Sequence, residues 1–286
     1  MAHGKEDGFD HPMVHRLAEI GSGQNAQGGL VKLLESCGIP QLITPIDGEH
    51  FSQIMLPSTW IRLLHKGYPR EFRLSFGADR TRLRDFWSSF ASRPATREWS
   101  AAHPFLRGKS LGDLETTIPL TVHVDAAPCS KQKSFLSISF ASLLRRGEEK
   151  LTQFVCATCV KPTGSECDDA LWSAILADMD SLATGAVDGS AIACGPDGVN
   201  WKAVLLIAKA DEQARCDEFG LSHYNGDEPC SECMCNRTTR PFTDLREGAA
   251  WRQSESMPFQ CYSARLREPL HPLARSHYFC SRWFFF

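Results

Sequence analysis

The chain has 286 residues, of which 42% are hydrophobic and 23% are charged, and its formal net charge is -3. This composition supports a globular core and excludes a wholly disordered chain. The longest apolar run, residues 203–208, is far shorter than the roughly 20 residues of a transmembrane helix, and the first ten residues are too polar for a secretory signal. We therefore expect an intracellular protein without a membrane partner, and the sequence leaves a nuclear location open.

The first 110 residues predict a tail followed by a basic helical segment. Residues 1–55 lack a sustained hydrophobic period, which predicts a disordered or loosely packed tail. Residues 56–110 contain one amphipathic helix that starts after Pro57 and a second helix over residues 79–90. Between residues 60 and 109, eleven basic and four acidic residues give a local charge of +7. These Arg-rich helices form either an ordinary solvated face or a surface that contacts DNA phosphates.

Residues 111–220 predict an α/β (α+β) core. Hydrophobic patterning predicts three strands, a helix and a fourth, nearly all-apolar strand. These elements cover residues 118–125, 134–140, 151–160, 168–182 and 201–210. The first three strands are close enough in the chain to form a meander, and the helix allows the fourth strand to lie parallel to the first. The prediction is a mixed sheet with flanking helices.

Two aspartates follow strands that we expect to be neighbours. Asp125 closes the first predicted strand and Asp211 closes the fourth. If these strands are parallel, both side chains leave the sheet at its carboxyl edge, where ligands of open α/β sheets bind. Two carboxylates there repel each other unless a cation lies between them, and a pair of Mg²⁺ or Mn²⁺ ions is the usual partner. Alternatively, each aspartate caps a turn or, in the case of Asp211, the following helix.

His123 lies two residues before Asp125 and therefore on the same face of the first strand. It is either a contact for a metal or substrate or a half-buried strand histidine, and the sequence does not separate these alternatives.

This order of elements resembles the RNase H-like superfamily, which includes DDE-type transposases and retroviral integrases. The resemblance covers roughly residues 118–220, with Asp125 on the first strand and Asp211 just after the fourth. It implies metal-dependent cleavage or strand transfer at DNA phosphodiesters, catalysed by these two residues and a third acid on a later helix. The late acids of the chain include Glu247, Glu255 and Glu268. None of them lies on a predicted helix after a fifth strand, so we expect an incomplete or inactive catalytic set.

Several segments also resemble a repeat-like family of dinoflagellate open reading frames that look transposase-derived. These segments are IPLTVHVDAAP (118–128), FGLSHY (219–224), PCSECMCN (229–236) and PFTDLR (241–246), the last followed by Ala250-Trp251. The resemblance extends from residue 56 to the C-terminus and implies the same transposase-derived origin.

Residues 221–286 predict an irregular, Cys/His-rich, zinc-type insertion that is truncated. Cys230 and Cys233 have the C-x₂-C spacing that places two thiolates on one turn around a Zn²⁺ ion. His271 and His277 are the best candidates for the second half of a structural site. The alternatives for the fourth ligand are Cys235, Cys261 and Cys280. Free thiols and a redox pair remain alternatives to zinc, although the resemblance favours zinc because several transposases carry a Cys/His site after the second aspartate.

Two functional hypotheses follow. The first is a transposase-derived RNase H-like domain whose ancestral reaction is metal-dependent DNA cleavage and whose Arg-rich helices contact DNA. The second is a non-catalytic, zinc-stabilised module that binds nucleic acid or protein. The two differ in whether a third carboxylate comes within about 4 to 6 Å of Asp125 and Asp211, the range in which charges share a site.

Overall fold

The computed structural model describes residues 44–49, 53–146, 152–162, 168–187, 190–191, 193–194, 198–211, 214, 216, 218–219, 225–230, 233, 235–252 and 271–275. These residues belong to one unit that runs from Thr44 to Phe286. Residues 1–43 of the predicted tail lie outside the described residues. In the described ranges, no helix has both the length and the apolar composition that crossing a bilayer requires.

A mixed sheet forms the centre of the fold. The strands of the described residues are β1 (Thr44–Pro45), β2 (Gln53–Ile54), β3 (Thr117–Pro128), β4 (Lys133–Ser142), β5 (Gln153–Pro162), β6 (Ala186–Val187), β7 (Ser190–Ala191), β8 (Ala193–Cys194) and β9 (Asn200–Ala210). Five of them form the sheet in the order β5-β4-β3-β9-β8, in which β3 is antiparallel to β4 and parallel to β9. The predicted meander, the parallel fourth strand and the mixed α/β class are therefore confirmed.

The helices of the described residues are α1 (Pro57–Gly67), α2 (Pro69–Phe76), α3 (Arg80–Ser92), α4 (Pro94–Ala102), α5 (Leu111–Leu114), α6 (Asp169–Thr184) and α7 (Pro272–Arg275). The crossover helix α6 is capped by the side chain of Asp168 and ends at Gly185, which has a φ of 81°. The sequence pattern did not predict α2 and α4. Each begins at a proline, Pro69 or Pro94, which is compatible with the first turn of a new helix as well as with the end of the previous one.

The main core lies between one face of the sheet and α6. Side chains of β3 and α6 that meet there are fully buried, and they include Leu120, Val122, Val124, Trp172, Ile175 and Met179. Helices α1 and α2 join the same core, where the ring of Phe76 stacks on Phe154 at a centroid distance of 5.2 Å. The basic helical segment is therefore packed against the sheet.

The opposite face of the sheet is covered over only half its length by described residues. Helix α3 packs against Val204 of β9, and the indole N–H of Trp87 donates a hydrogen bond to the Thr117 carbonyl at 2.8 Å. Both contacts lie near the starts of the parallel strands β3 and β9. Farther along the same face, His123 is half-buried and Asp125 is exposed. Among the described residues, α3 thus leaves the carboxyl half of this face open.

Candidate functional site

Asp125 and Asp211 follow the last parallel residue pair of the sheet. The register of β3 and β9 ends with Val124 opposite Ala210, so the next residue of each strand is an aspartate at the carboxyl edge. The prediction that the first strand ends at Asp125 is wrong, because β3 keeps pairing with β4 as far as Pro128. In the parallel pairing of β3 with β9, however, Asp125 is the first residue of β3 beyond the last pair, just as Asp211 is the first residue after β9. The two aspartates therefore share the carboxyl edge of these strands.

The Asp211 carboxylate is held by two backbone N–H groups. Its Oδ1 accepts a hydrogen bond from Ala214 at 2.7 Å, and its Oδ2 accepts one from Ala126 at 3.2 Å. The first contact has the i to i+3 spacing of a helix cap. The second joins Asp211 to β3 beside Asp125. Capping the following turn and pairing with Asp125 are therefore compatible roles, and together the two bonds fix the orientation of the carboxylate.

Asp125 and Asp211 lie side by side, because β3 and β9 are paired in register up to the preceding residues and Asp211 Oδ2 accepts a hydrogen bond from Ala126, the residue after Asp125. Hydrogen bonding with the Asp211 side chain, followed by partial burial and the charge of Asp211, raises the pKa of Asp125, and nearby His123 opposes this effect. Two carboxylates that meet in this way favour sharing one proton, because both cannot ionise without mutual repulsion. A divalent cation can take the place of that proton. Since the paired groups offer carboxylate oxygens, they fit a hard ion such as Mg²⁺ or Mn²⁺.

A third acidic ligand does not join this pair among the described residues. In that part of the chain, the only group of three potential metal-ligating His, Cys, Asp or Glu side chains with ligand atoms within 4.8 Å of one another is a cysteine cluster. Glu247 is described and exposed, but it does not belong to a group with the aspartates. Glu255 and Glu268 lie outside the described residues.

The cysteine cluster consists of Cys230, Cys233 and Cys235, whose Sγ atoms lie within 4.8 Å of one another. Sulfur ligands about 2.3 Å from a tetrahedral zinc ion lie about 3.8 Å apart, so the cluster has the dimensions of three zinc ligands. The backbone N–H of Cys233 also donates to Cys230 Sγ at 3.3 Å, which turns the chain around the sulfurs. Burial and the neighbouring thiols raise the pKa of Cys233 to about 12. A bound cation would favour the thiolate form.

The structure brings together only part of the predicted zinc site. Cys235, which the sequence offers as an alternative fourth ligand, is the third member of the cluster, and His271 is not a member. The imidazole of His271 instead lies 4.7 Å from the rings of both Trp172 and Phe219, and its Nδ1 accepts a hydrogen bond from the backbone. The remaining candidates, which are His277, Cys261 and Cys280, lie outside the described residues.

A polar cleft on the open half of the sheet face was not predicted from the sequence. The cleft has a volume of about 90 Å³, and its walls include His123, Arg145, Gln153 and Lys209. The amide nitrogen of Gln153 donates to Ser139 Oγ at 2.6 Å and lies 3.2 Å from His123 Nδ1. A signal for this cleft exists in the sequence, because serine alternates with apolar residues along β4 and a lysine interrupts the apolar run of β9.

Part of the positive charge of the Arg-rich helices has acidic partners within the fold. Arg80 and Arg84 of α3 both form ion pairs with Glu115, whose side chain is buried. The charge of Arg62 likewise acts on the carboxylate of Asp178 in α6. These three arginines have structural roles in addition to any contact with DNA, which stays a prediction.

Comparison with known proteins found no family model, no curated protein and no solved structure that matches this chain.

Proposed function

We propose that the chain is a transposase-derived RNase H-like domain in which Asp125 and Asp211 bind divalent metal ions. The observation that carries the proposal is that both aspartates directly follow the last residue pair of the parallel register, at the carboxyl edge of the central strands. The ancestral activity of such a domain is metal-dependent cleavage and strand transfer at DNA phosphodiesters.

The topology of the sheet supports this proposal. The three strands of the meander, β3 to β5, lie on one side of the sheet, and β9 returns after α6 to lie parallel to β3. Aspartates follow the parallel register of both central strands. This is the arrangement that the sequence resemblance to the RNase H-like superfamily implies.

The chemistry of the pair suits a phosphodiester substrate. When bound, Mg²⁺ or Mn²⁺ would withdraw charge from a phosphate oxygen and favour the deprotonation of an attacking water or hydroxyl. The chain itself supplies the oxygen ligands. The backbone N–H groups of Ala126 and Ala214 hold Asp211 in place, so that only one of the two carboxylates needs to adjust when a cation enters.

We propose further that DNA cleavage by this chain is weak or absent. Among the described residues, no third acid joins Asp125 and Asp211. Two carboxylates can bind an ion without completing the set that catalysis requires. The domain then acts as a metal-binding relic of a transposase.

The test is direct measurement of metal binding by titration calorimetry. Wild type should bind Mn²⁺, and the variants Asp125→Asn and Asp211→Asn should each lose that binding. Asp85→Asn, which removes an exposed carboxylate from α3, is the matched control and should bind like wild type. Equal Mn²⁺ binding by wild type and both site variants would reject the proposal. Plasmid nicking with Mn²⁺ by the same proteins then decides between a relic and an active nuclease.

A second candidate function is a zinc-stabilised, non-catalytic binding module, and the cluster of Cys230, Cys233 and Cys235 favours it. Zinc binding contributes directly to folding when ligands are preformed only in the folded state. Cys233→Ser should therefore lower both the zinc content of the purified protein and its melting temperature. Cys129→Ser, at an exposed free cysteine, is the control. Unchanged zinc content and melting temperature in Cys233→Ser would reject the site.

A further inference from the structure

The polar cleft lies on the same face of the sheet as the aspartate pair. His123 of β3 is opposite Lys209 of β9 in the parallel register, and Asp125 and Asp211 are each two residues farther along their strands. Residues two apart on a strand point to the same face and are about 7 Å apart. The cleft and the aspartates therefore lie side by side on the open half of this face.

Two cationic side chains line the cleft. Its lining contains two cations, Arg145 and Lys209, and no carboxylate. Among the described residues, Lys209 has no ion-pair partner, although it is half-buried. A half-buried ammonium group without a counter-charge attracts anions. The aspartate pair next to the cleft has the opposite preference, so this face places an anion site beside a cation site.

The hydrogen bonds of Gln153 fix the tautomer of His123 in the cleft. The amide nitrogen of Gln153 lies 3.2 Å from His123 Nδ1, and an amide nitrogen can only donate. The Nδ1 atom therefore accepts, and the proton of the neutral imidazole is on Nε2. The same amide donates to Ser139, which fixes its orientation. Together with the ammonium and guanidinium groups, the Nε2 N–H donor of His123 suits an oxyanion, and a volume of 90 Å³ accommodates a tetrahedral one.

We propose that this cleft binds a phosphate group of a nucleic-acid backbone, with Lys209 and Arg145 as its cationic ligands. The inference rests on the proposed function and deepens it, because a phosphodiester chain would pass from the cleft to the metal-binding aspartates about 7 Å away. It assigns the nucleic acid to the open sheet face and not to the Arg-rich helices of residues 60–109. Phosphate contacts of this kind position a nucleic acid without reading its sequence.

The experiment measures binding of a fluorescein-labelled double-stranded oligonucleotide by fluorescence anisotropy over a range of salt concentrations, with EDTA present. The cleft variants are Lys209→Gln and Arg145→Gln. Two controls each remove one exposed cation away from this sheet face: Lys66→Gln on α1 and Arg70→Gln on α2, both on the Arg-rich helices. Each lost phosphate contact should lower the slope of log K against log salt by about 0.9 and weaken binding about eightfold at 0.1 M salt. The controls should bind like wild type.

Three results would overturn the inference. One is wild-type affinity and slope in both cleft variants. Another is a loss of binding in Arg70→Gln alone, which would move the nucleic acid to the helices. The third is that the wild-type protein binds inorganic phosphate, as detected by NMR, but does not bind the oligonucleotide, while Lys209→Gln does not bind phosphate. If Lys209→Gln does not melt like wild type, Lys209→Met replaces it, since methionine retains an unbranched apolar stem.

The assay separates this inference from the proposed function because it contains no metal. Normal Mn²⁺ binding together with unchanged oligonucleotide binding in the cleft variants would refute only the cleft. Loss of oligonucleotide binding in Lys209→Gln, with no Mn²⁺ binding by wild type, would refute only the metal site.

Discussion

Replacing the two aspartates one at a time with alanine should change the stability of the metal-free protein in different ways. Asp211 accepts hydrogen bonds from Ala214 and from Ala126, and Ala126 is buried. Losing a cap of this kind costs about 1 kcal/mol, and losing the acceptor of one further backbone N–H costs about 1 kcal/mol more. Relief of repulsion from Asp125 offsets part of that sum. We expect Asp211→Ala to lower the free energy of unfolding by about 1 to 2 kcal/mol.

Asp125→Ala should not destabilise the metal-free protein. Asp125 is exposed, and the neighbouring carboxyl group of Asp211 raises the pKa of Asp125. Removing one member of such a pair relieves repulsion. The free energy of unfolding should therefore stay within about 0.5 kcal/mol of wild type or rise. The assay is urea unfolding of the three proteins at pH 7 in EDTA.

Adding Mn²⁺ should reverse the order of wild type and Asp125→Ala. A ligand at ten times its dissociation constant stabilises the folded state by about 1.4 kcal/mol. Only wild type retains both carboxylates, so only wild type should gain this stability. The reasoning is refuted if Asp125→Ala loses as much stability in EDTA as Asp211→Ala does. It is also refuted if Mn²⁺ stabilises all three proteins equally.

Three further changes test the fold around the site. Phe76→Ala removes a fully buried ring of the main core and should cost about 3 to 5 kcal/mol in urea unfolding, whereas Leu74→Ala at an exposed position should cost far less. Gly77→Ala should lower the melting temperature, because Gly77 has a φ of 58° and an added Cβ would overlap the Leu144 carbonyl. Burial raises the pKa of Asp178 above its usual range, so protonation of Asp178 favours the folded state, most fully below an unfolded pKa of about 3.9. Wild type loses this contribution as the pH rises through the pKa that Asp178 has in the folded state. Asp178→Asn has no such titration, so its stability relative to wild type should increase with pH over that range. A difference in stability that does not change with pH would contradict the assignment.

Local pattern was sufficient to predict four strands of the five-stranded sheet and the way they pair, but it did not predict β8. Apolar alternation marked β3 and β4, and the nearly continuous apolar run of β9 marked a central strand. The length of the connection through α6 then required a crossover. Because the ends of parallel neighbours meet at one edge, this topology was enough to predict that Asp125 and Asp211 lie together. The spacing of Cys230 and Cys233 was likewise a local property.

The tertiary structure decided features that join residues far apart in the chain. Asp211 contacts the backbone of Ala126, 85 residues away, and Gln153 contacts His123, 30 residues away. Neither contact has a periodic or spacing pattern that sequence analysis could detect. The placement of Cys235 with the other thiols depends on how the chain turns after Cys233. His271 had an acceptable ligand spacing but was placed among aromatic rings.

The chain's amino-acid order therefore determined the four long strands β3, β4, β5 and β9, their topology and the shared edge of the two aspartates, since periodicity and connection length are local properties. Only the tertiary structure decided which half of the second sheet face the described residues leave uncovered. That depends on where α3 packs through Trp87 and Thr117. Lys209 and His123 lie together on that half beside the aspartates, because side chains of neighbouring strands meet only when the strands pair in register.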